Sequence, residues 1–103
     1  MFIHSVYFSL RSDLTPAEHD RFLAGVRSLL TIRSVTDGSF GPPADTDRAV
    51  IDRAYSYGMV LRFPDQAAHD AYQTDPVHDA FRDECGTLWS AVRIFDLDTG
   101  PLS

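Results

Sequence analysis

The chain has 103 residues, one domain's worth, with 44% hydrophobic and 23% charged residues, an ordinary globular balance. Its net charge is −6 and all nine basic residues are arginine, which argues against phosphate-backbone and anionic-membrane binding and leaves no lysine for Schiff-base, pyridoxal-phosphate or Walker-type chemistry. The lone Cys85 excludes an intrachain disulfide and a thiolate cluster, and no apolar run approaches the roughly 20 residues of a membrane span.

Phe2 to Leu10 alternates as a strand. Phe2, His4, Val6, Phe8 and Leu10 share one face, apolar except for His4. Thr15, Pro16 and Glu18 make a capping box with proline at the first helical position, and Phe22, Val26, Leu29 and Leu30 follow at helical spacing. This predicts a helix over about 16–30. Ser34 to Phe40 reads as a weaker strand, interrupted by Asp37-Gly38, and Pro42 to Arg53 as an Asp-rich loop. Tyr55 to Phe63 is a strong strand with Tyr57, Met59 and Leu61 on one face. Asp65 caps a second helix, which Asp75-Pro76 breaks after about two turns, because proline disfavours helical backbone at the residue before it. A third helix is expected over about 77–85, with Phe81 inward, and a last strand over Ser90–Leu97.

The order β-α-β-β-α-β, with both helical segments on one side of a mostly antiparallel sheet, predicts a ferredoxin-like α+β domain filling residues 1–103. The opposite sheet face is expected to carry Ile3, Tyr7, Val60, Val92 and Ile94, an apolar patch that a second copy would cover as a homodimer. With no basic region ahead of an apolar core at the N-terminus, the expectation is no signal peptide and a cytoplasmic protein.

His78 and Tyr72 are the first candidates for chemistry. Histidine titrates near pH 6.5 and suits proton abstraction next to a carbonyl; a tyrosine hydroxyl suits donation to a developing oxyanion. An unbroken helix would set them about 600° apart, on roughly opposite faces, so the break at Asp75-Pro76 is what can bring them together. On the residues alone, His78 is either this base or a core histidine bonded to a backbone carbonyl, and Tyr72 either touches a ligand or packs in the core. His4 is either a bridge between strand and helix or a pocket residue. His19 reads as solvated, His69 as a solvated residue or one at the pocket rim three residues before Tyr72, Cys85 as a small buried hydrophobe, and Asp45, Asp47 and Asp52 as a solvated loop. The four histidines form no H-x-x-x-H or H-E-x-x-H pair, so no metal site is expected.

His4 in I-H-x-V-x-F, the strand Y-S-Y-G-M-V-L-R-F, the run A-Y-Q-x-D-P-V-H-x-x-F over Ala71–Phe81 and the terminal V-x-x-F-D together resemble the stress-responsive dimeric α+β barrel family. The resemblance spans Phe2 to about Asp98. It implies a ferredoxin-like protomer whose sheet pairs with its mate's to enclose a barrel. One branch, similar to olivetolic acid cyclase, cyclises a linear polyketide by intramolecular aldol condensation without metal or organic cofactor. Its functional His and Tyr match His78 and Tyr72, and a pocket His matches His4; another pocket His falls at Tyr57, a departure that puts the substrate in doubt. The resemblance therefore implies a cofactor-free cyclase or isomerase acting on a hydrophobic, carbonyl-bearing small molecule. Val6, Phe8, Phe22, Leu23, Val26, Tyr57 and Met59 would line its pocket, with Val26 leaving room where a bulkier aromatic would not. Two rival readings are a non-catalytic stress-induced dimer and a cofactor-independent oxygenase of the same superfamily.

Overall fold

The computed structural model describes residues 1–100; residues 101–103, the end of the single domain expected over 1–103, lie outside the described residues. The elements run β1 (Phe2–Leu10), α1 (Pro16–Leu29), β2 (Asp37–Gly41), β3 (Tyr57–Phe63), α2 (Gln66–Gln73), α3 (Pro76–Cys85) and β4 (Trp89–Asp98). The strands form one antiparallel sheet in the order β2-β3-β1-β4, the ferredoxin-like arrangement. β1, the most regularly alternating segment, takes a central place with a neighbour on each side.

The helix signals act as they read. The Thr15 hydroxyl accepts from the Glu18 backbone N–H at 3.2 Å, and the Glu18 carboxylate accepts from the Thr15 N–H at 3.0 Å. Asp65 caps α2 by accepting from the Ala68 N–H at 2.9 Å, and Asp75 caps α3 by accepting from the Val77 N–H at 2.8 Å. β2 begins three residues later than its composition suggested, because Ile32–Val35 closes a hydrogen-bonded turn instead. β3 begins at Tyr57, not Tyr55; Ser56 bends away while its hydroxyl accepts from the Leu10 N–H.

The helices cover the face of β1 and β3 that carries Phe2, Val6, Phe8, Met59, Leu61 and Phe63, and with Phe22, Val26 and Leu29 of α1 these make one buried core. Burying such side chains stabilises the fold by about 1.5–3 kcal/mol each. The helices approach closely at Gly25 of α1. A Cβ there would lie 2.7 Å from the Cys85 Sγ and 2.9 Å from the Phe81 ring. Gly25→Val should therefore force α1 from α3 and cost roughly 1–3 kcal/mol, the usual penalty of overpacking. Urea unfolding checks this; an unchanged midpoint would mean the helices are not in contact at that point.

β4 corrects the expected outer face. His4 pairs with Asp96, Val6 with Ile94 and Phe8 with Val92, so Val92 and Ile94 share the helix-side face. The outer face instead carries Phe95 and Leu97, beside Ile3, Ser5 and Tyr7. The register shifts at Ser9/Leu10, where Trp89 and Ala91 pair with consecutive β1 residues and Ser90 is passed over. Both parities of β4 hold apolar residues, so alternation alone could not choose between them. Phe95 and Leu97 are more than half exposed.

Candidate functional site

His4, Tyr72 and His78 meet in one cleft of about 900 Å³, between the inner faces of β1 and β4 and the α2–α3 bend. The bend is the positioning device. α2 ends at Gln73 with Thr74 as its C-cap, and Asp75 is extended before α3 begins, so the two helices do not continue one another. The Tyr72 and His78 rings stand edge to face, with centroids 4.9 Å apart. The His4 ring lies 5.7 Å from that of Tyr72.

Each group is tuned by its surroundings. Burial lowers the His78 pKa, and the nearby Arg82 guanidinium lowers it further, against the opposing charges of Asp79 and Asp75. The ring is therefore neutral at pH 7 and holds a free lone pair. Its Nδ1 is buried with no partner in the protomer, so no contact locks the tautomer. Burial raises the Tyr72 pKa well above its usual value of 10, so the phenol keeps its proton and acts as a donor. His4 is buried, and desolvation lowers its pKa more than Asp96 raises it. Its Nδ1–H donates to the Asp96 carboxylate at 2.6 Å, which orients the ring and leaves Nε2 as an acceptor.

These shifts predict a pH dependence. The folded His4 and His78 bind protons less readily than ordinary histidines of pKa 6.5 in the unfolded chain. Their contribution is fully present above pH 6.5 and is lost as pH falls through the depressed folded values. Stability should fall between pH 7.5 and 5, and fall less in a His4→Asn, His78→Asn double variant. Urea melts at the two pH values decide it; identical slopes in the variant would assign the effect elsewhere. The lowered carboxylates, Asp13 and Glu18, titrate at more acid pH and do not overlap this window.

Val6, Phe8 and Met59 line the cleft as expected, joined by Leu29, Phe81, Trp89, Val92 and Ile94. Phe22 and Val26 do not: both are fully buried in the packed core, with Leu23 half-buried against it. Tyr57 is also displaced. It stacks on Phe40 at 5.0 Å, contacts the His19 Nε2 through its hydroxyl at 2.9 Å and opens onto a second cleft of about 600 Å³. His19 is accordingly half-buried and partnered, not simply solvated. His69 is a larger correction. It is buried, stacked on Phe2 at 4.3 Å, with its centroid 4.9 Å from that of His4. It lies three residues before Tyr72 on α2 and so shares its inward face. Asp96 was missed because its role depends on the register of β4.

Sequence spacing offered no metal-ligand pair, yet the fold brings donor atoms of His4, His69 and Asp96 within 4.8 Å of one another. Cys85 is buried, as expected, with its thiol directed at the Arg21 carbonyl at 3.7 Å and its pKa raised by burial. Among the described residues, no helix is long and apolar enough to cross a membrane.

An antiparallel ferredoxin-like sheet with a ligand-sized cleft at the bend of its second helical segment defines a small α+β barrel-type protomer. The model of the stress responsive A/B barrel domain matches residues 2–99, and the chain belongs to that family. A family member of ferredoxin-like fold from Mesorhizobium loti is 31% identical, with a TM-score of 0.76 over 99% of this chain and 97% of the other. A hydroxynitrile lyase from Passiflora edulis is 21% identical, with a TM-score of 0.76 over 97% and 96%. A protein of unknown function from Thermobifida fusca YX, described as dimeric and ferredoxin-like, is 17% identical, with a TM-score of 0.75 over 95% and 90%. Comparison of the sequence with curated proteins finds no match.

Proposed function

We propose that the cleft binds a hydrophobic, carbonyl-bearing small molecule and moves a proton on it, with His78 as base and Tyr72 as oxyanion donor. The observation that carries this reading is the convergence of a neutral, unlocked imidazole and a protonated phenol on one cleft, apolar toward the sheet and lined by Gln73, Asp79, Arg82 and Asp83 toward the helices. His78 takes a proton from the carbon between two carbonyls. Tyr72 donates to the enolate oxygen that forms, and the enolate carbon attacks a third, more distant carbonyl of the same molecule, closing a ring as that carbonyl's π electrons become an alkoxide. The alkoxide then takes the proton from His78. This chemistry asks only for a proton acceptor and an oxyanion donor, so the reading is cofactor-free. It accords with the resemblance to the polyketide cyclase branch. The Passiflora edulis neighbour is named a hydroxynitrile lyase.

Thermal-shift screening of wild type and His78→Ala against β-dicarbonyl compounds, aromatic aldehydes and cyanohydrins tests the site. Stabilisation of wild type that disappears in the variant supports it. Equal stabilisation of both, or none across the panel, would favour a non-catalytic dimer; oxygen uptake with a hydroquinone would favour an oxygenase.

We also infer a homodimer through the outer sheet face. Tyr7, Phe95 and Leu97 present apolar surface there, with Ile3 and Val60 between them. Tyr7 packs on Tyr55 at 5.0 Å and on Phe95 at 6.2 Å, a preformed aromatic patch. The Thermobifida fusca neighbour's dimeric state agrees. Light scattering should give twice the 11.5 kDa chain mass for wild type and the single mass for Phe95→Glu. A wild-type monomer at micromolar concentration would remove the dimer from the account.

A further inference from the structure

We propose that His4, His69 and Asp96 form a binding site for a first-row divalent transition metal, beside the cleft that His4 lines. The donors come from three elements, β1, α2 and β4, and one donor atom of each lies within 4.8 Å of the other two. Both imidazoles are buried, at 3% and 8% exposure, while the Asp96 side chain is 40% exposed. A cation can thus arrive from solvent at the carboxylate and be captured by two imidazoles already held in place. Phe2 holds the His69 ring by stacking, and the His4 ring is wedged between those of His69 and Tyr72.

His69 has partners at both ring nitrogens, the Asp70 carboxylate 3.2 Å from Nδ1 and the Gln73 side-chain nitrogen 3.1 Å from Nε2, so a bound cation takes the place of one of them. The His69 ring sits among Phe2 and Phe63, where an aliphatic side chain would pack without a desolvation cost. Instead a second imidazole stands beside the His4–Asp96 pair. Two imidazoles and a carboxylate suit zinc, cobalt, nickel or ferrous iron, whereas magnesium and calcium favour all-oxygen sites. The Asp70 carboxylate, 3.2 Å from the His69 Nδ1, adds a second negative charge against the cation. A tetrahedral ion with bonds of about 2.0–2.1 Å has donor separations near 3.3 Å, so closure asks for side-chain adjustments on the order of an ångström. Three protein ligands leave a further coordination position open. This inference stands independently of the reaction proposed above.

The test uses tag-free protein, stripped with chelator and titrated with cobalt(II) and zinc(II). Wild type should bind one cobalt per protomer with the visible absorption of a low-coordinate nitrogen–oxygen site, and zinc should displace it. The melting temperature should rise with the logarithm of zinc concentration and ignore equimolar magnesium. His69→Gln and Asp96→Asn should each weaken zinc binding by roughly tenfold or more, while His19→Gln, in the other cleft, should not. Asp96→Asn changes a part-exposed edge-strand residue and decides the matter even where His69→Gln fails to fold. No cobalt spectrum and no zinc shift in wild type would overturn the proposal, as would full zinc affinity in Asp96→Asn.

Discussion

Replacing His78 with alanine should lower turnover of a cyclisable β-polycarbonyl substrate by roughly 10²–10⁴, the usual worth of a positioned general base. Affinity and dimerisation should change far less. His78 is half-buried at the start of α3, and its Nδ1 makes no hydrogen bond whose loss would strand a partner. A structural histidine would give the opposite pattern, because removing one partner of a buried hydrogen bond costs about 1–3 kcal/mol. Parallel measurement of kcat and melting temperature separates the two. A variant that melts several degrees lower yet turns over normally would end the case for His78 as base.

Tyr72→Phe is the second large effect expected. The substitution removes a hydroxyl and keeps the ring, which packs edge to face on Phe63 at 5.3 Å and on His78 at 4.9 Å. Because this packing is kept, stability should change little. The barrier should rise by about 2.7–4 kcal/mol, a loss of roughly 10²–10³ in kcat, with little change in KM. The pH profile adds a further check. The raised phenol pKa keeps Tyr72 protonated through neutral pH, so the acid limb of activity belongs to the histidines and should remain in Tyr72→Phe. A proportionate rise in KM with kcat unchanged would make Tyr72 a binding residue only.

Much of this architecture is legible in the chain because local signals agree with the final packing. The alternation of β1 places His4 among Phe2, Val6 and Phe8, and it is buried there. The Thr15 capping box and the Asp75-Pro76 break set two helix ends at the residues expected within one position. Features that depend on pairing between distant segments were not legible. Val92 and Ile94 face the cleft, and Phe95 and Leu97 face outward, only because the bulge at Ser90 sets the β4 register. Asp96 meets His4 for the same reason. Phe22, Leu23 and Val26 belong to an apolar stripe, and a stripe does not say whether its neighbours leave space. Of that helix, Leu29 is the residue that lines the cleft, which opens toward β4. His69 could have been placed by its spacing from Tyr72, but its burial required knowing that Phe2 reaches over it.

The central claim is that one cleft, shared by His4, Tyr72 and His78, receives the ligand. Imidazole nitrogen–proton NMR spectra of the wild-type protein, recorded with and without the strongest stabilising compound from the thermal-shift panel, test it directly. The account predicts that the His78 and His4 ring resonances move on binding while those of His19, in the second cleft, stay fixed. Saturable binding that shifts His19 and leaves His78 and His4 unmoved would contradict it.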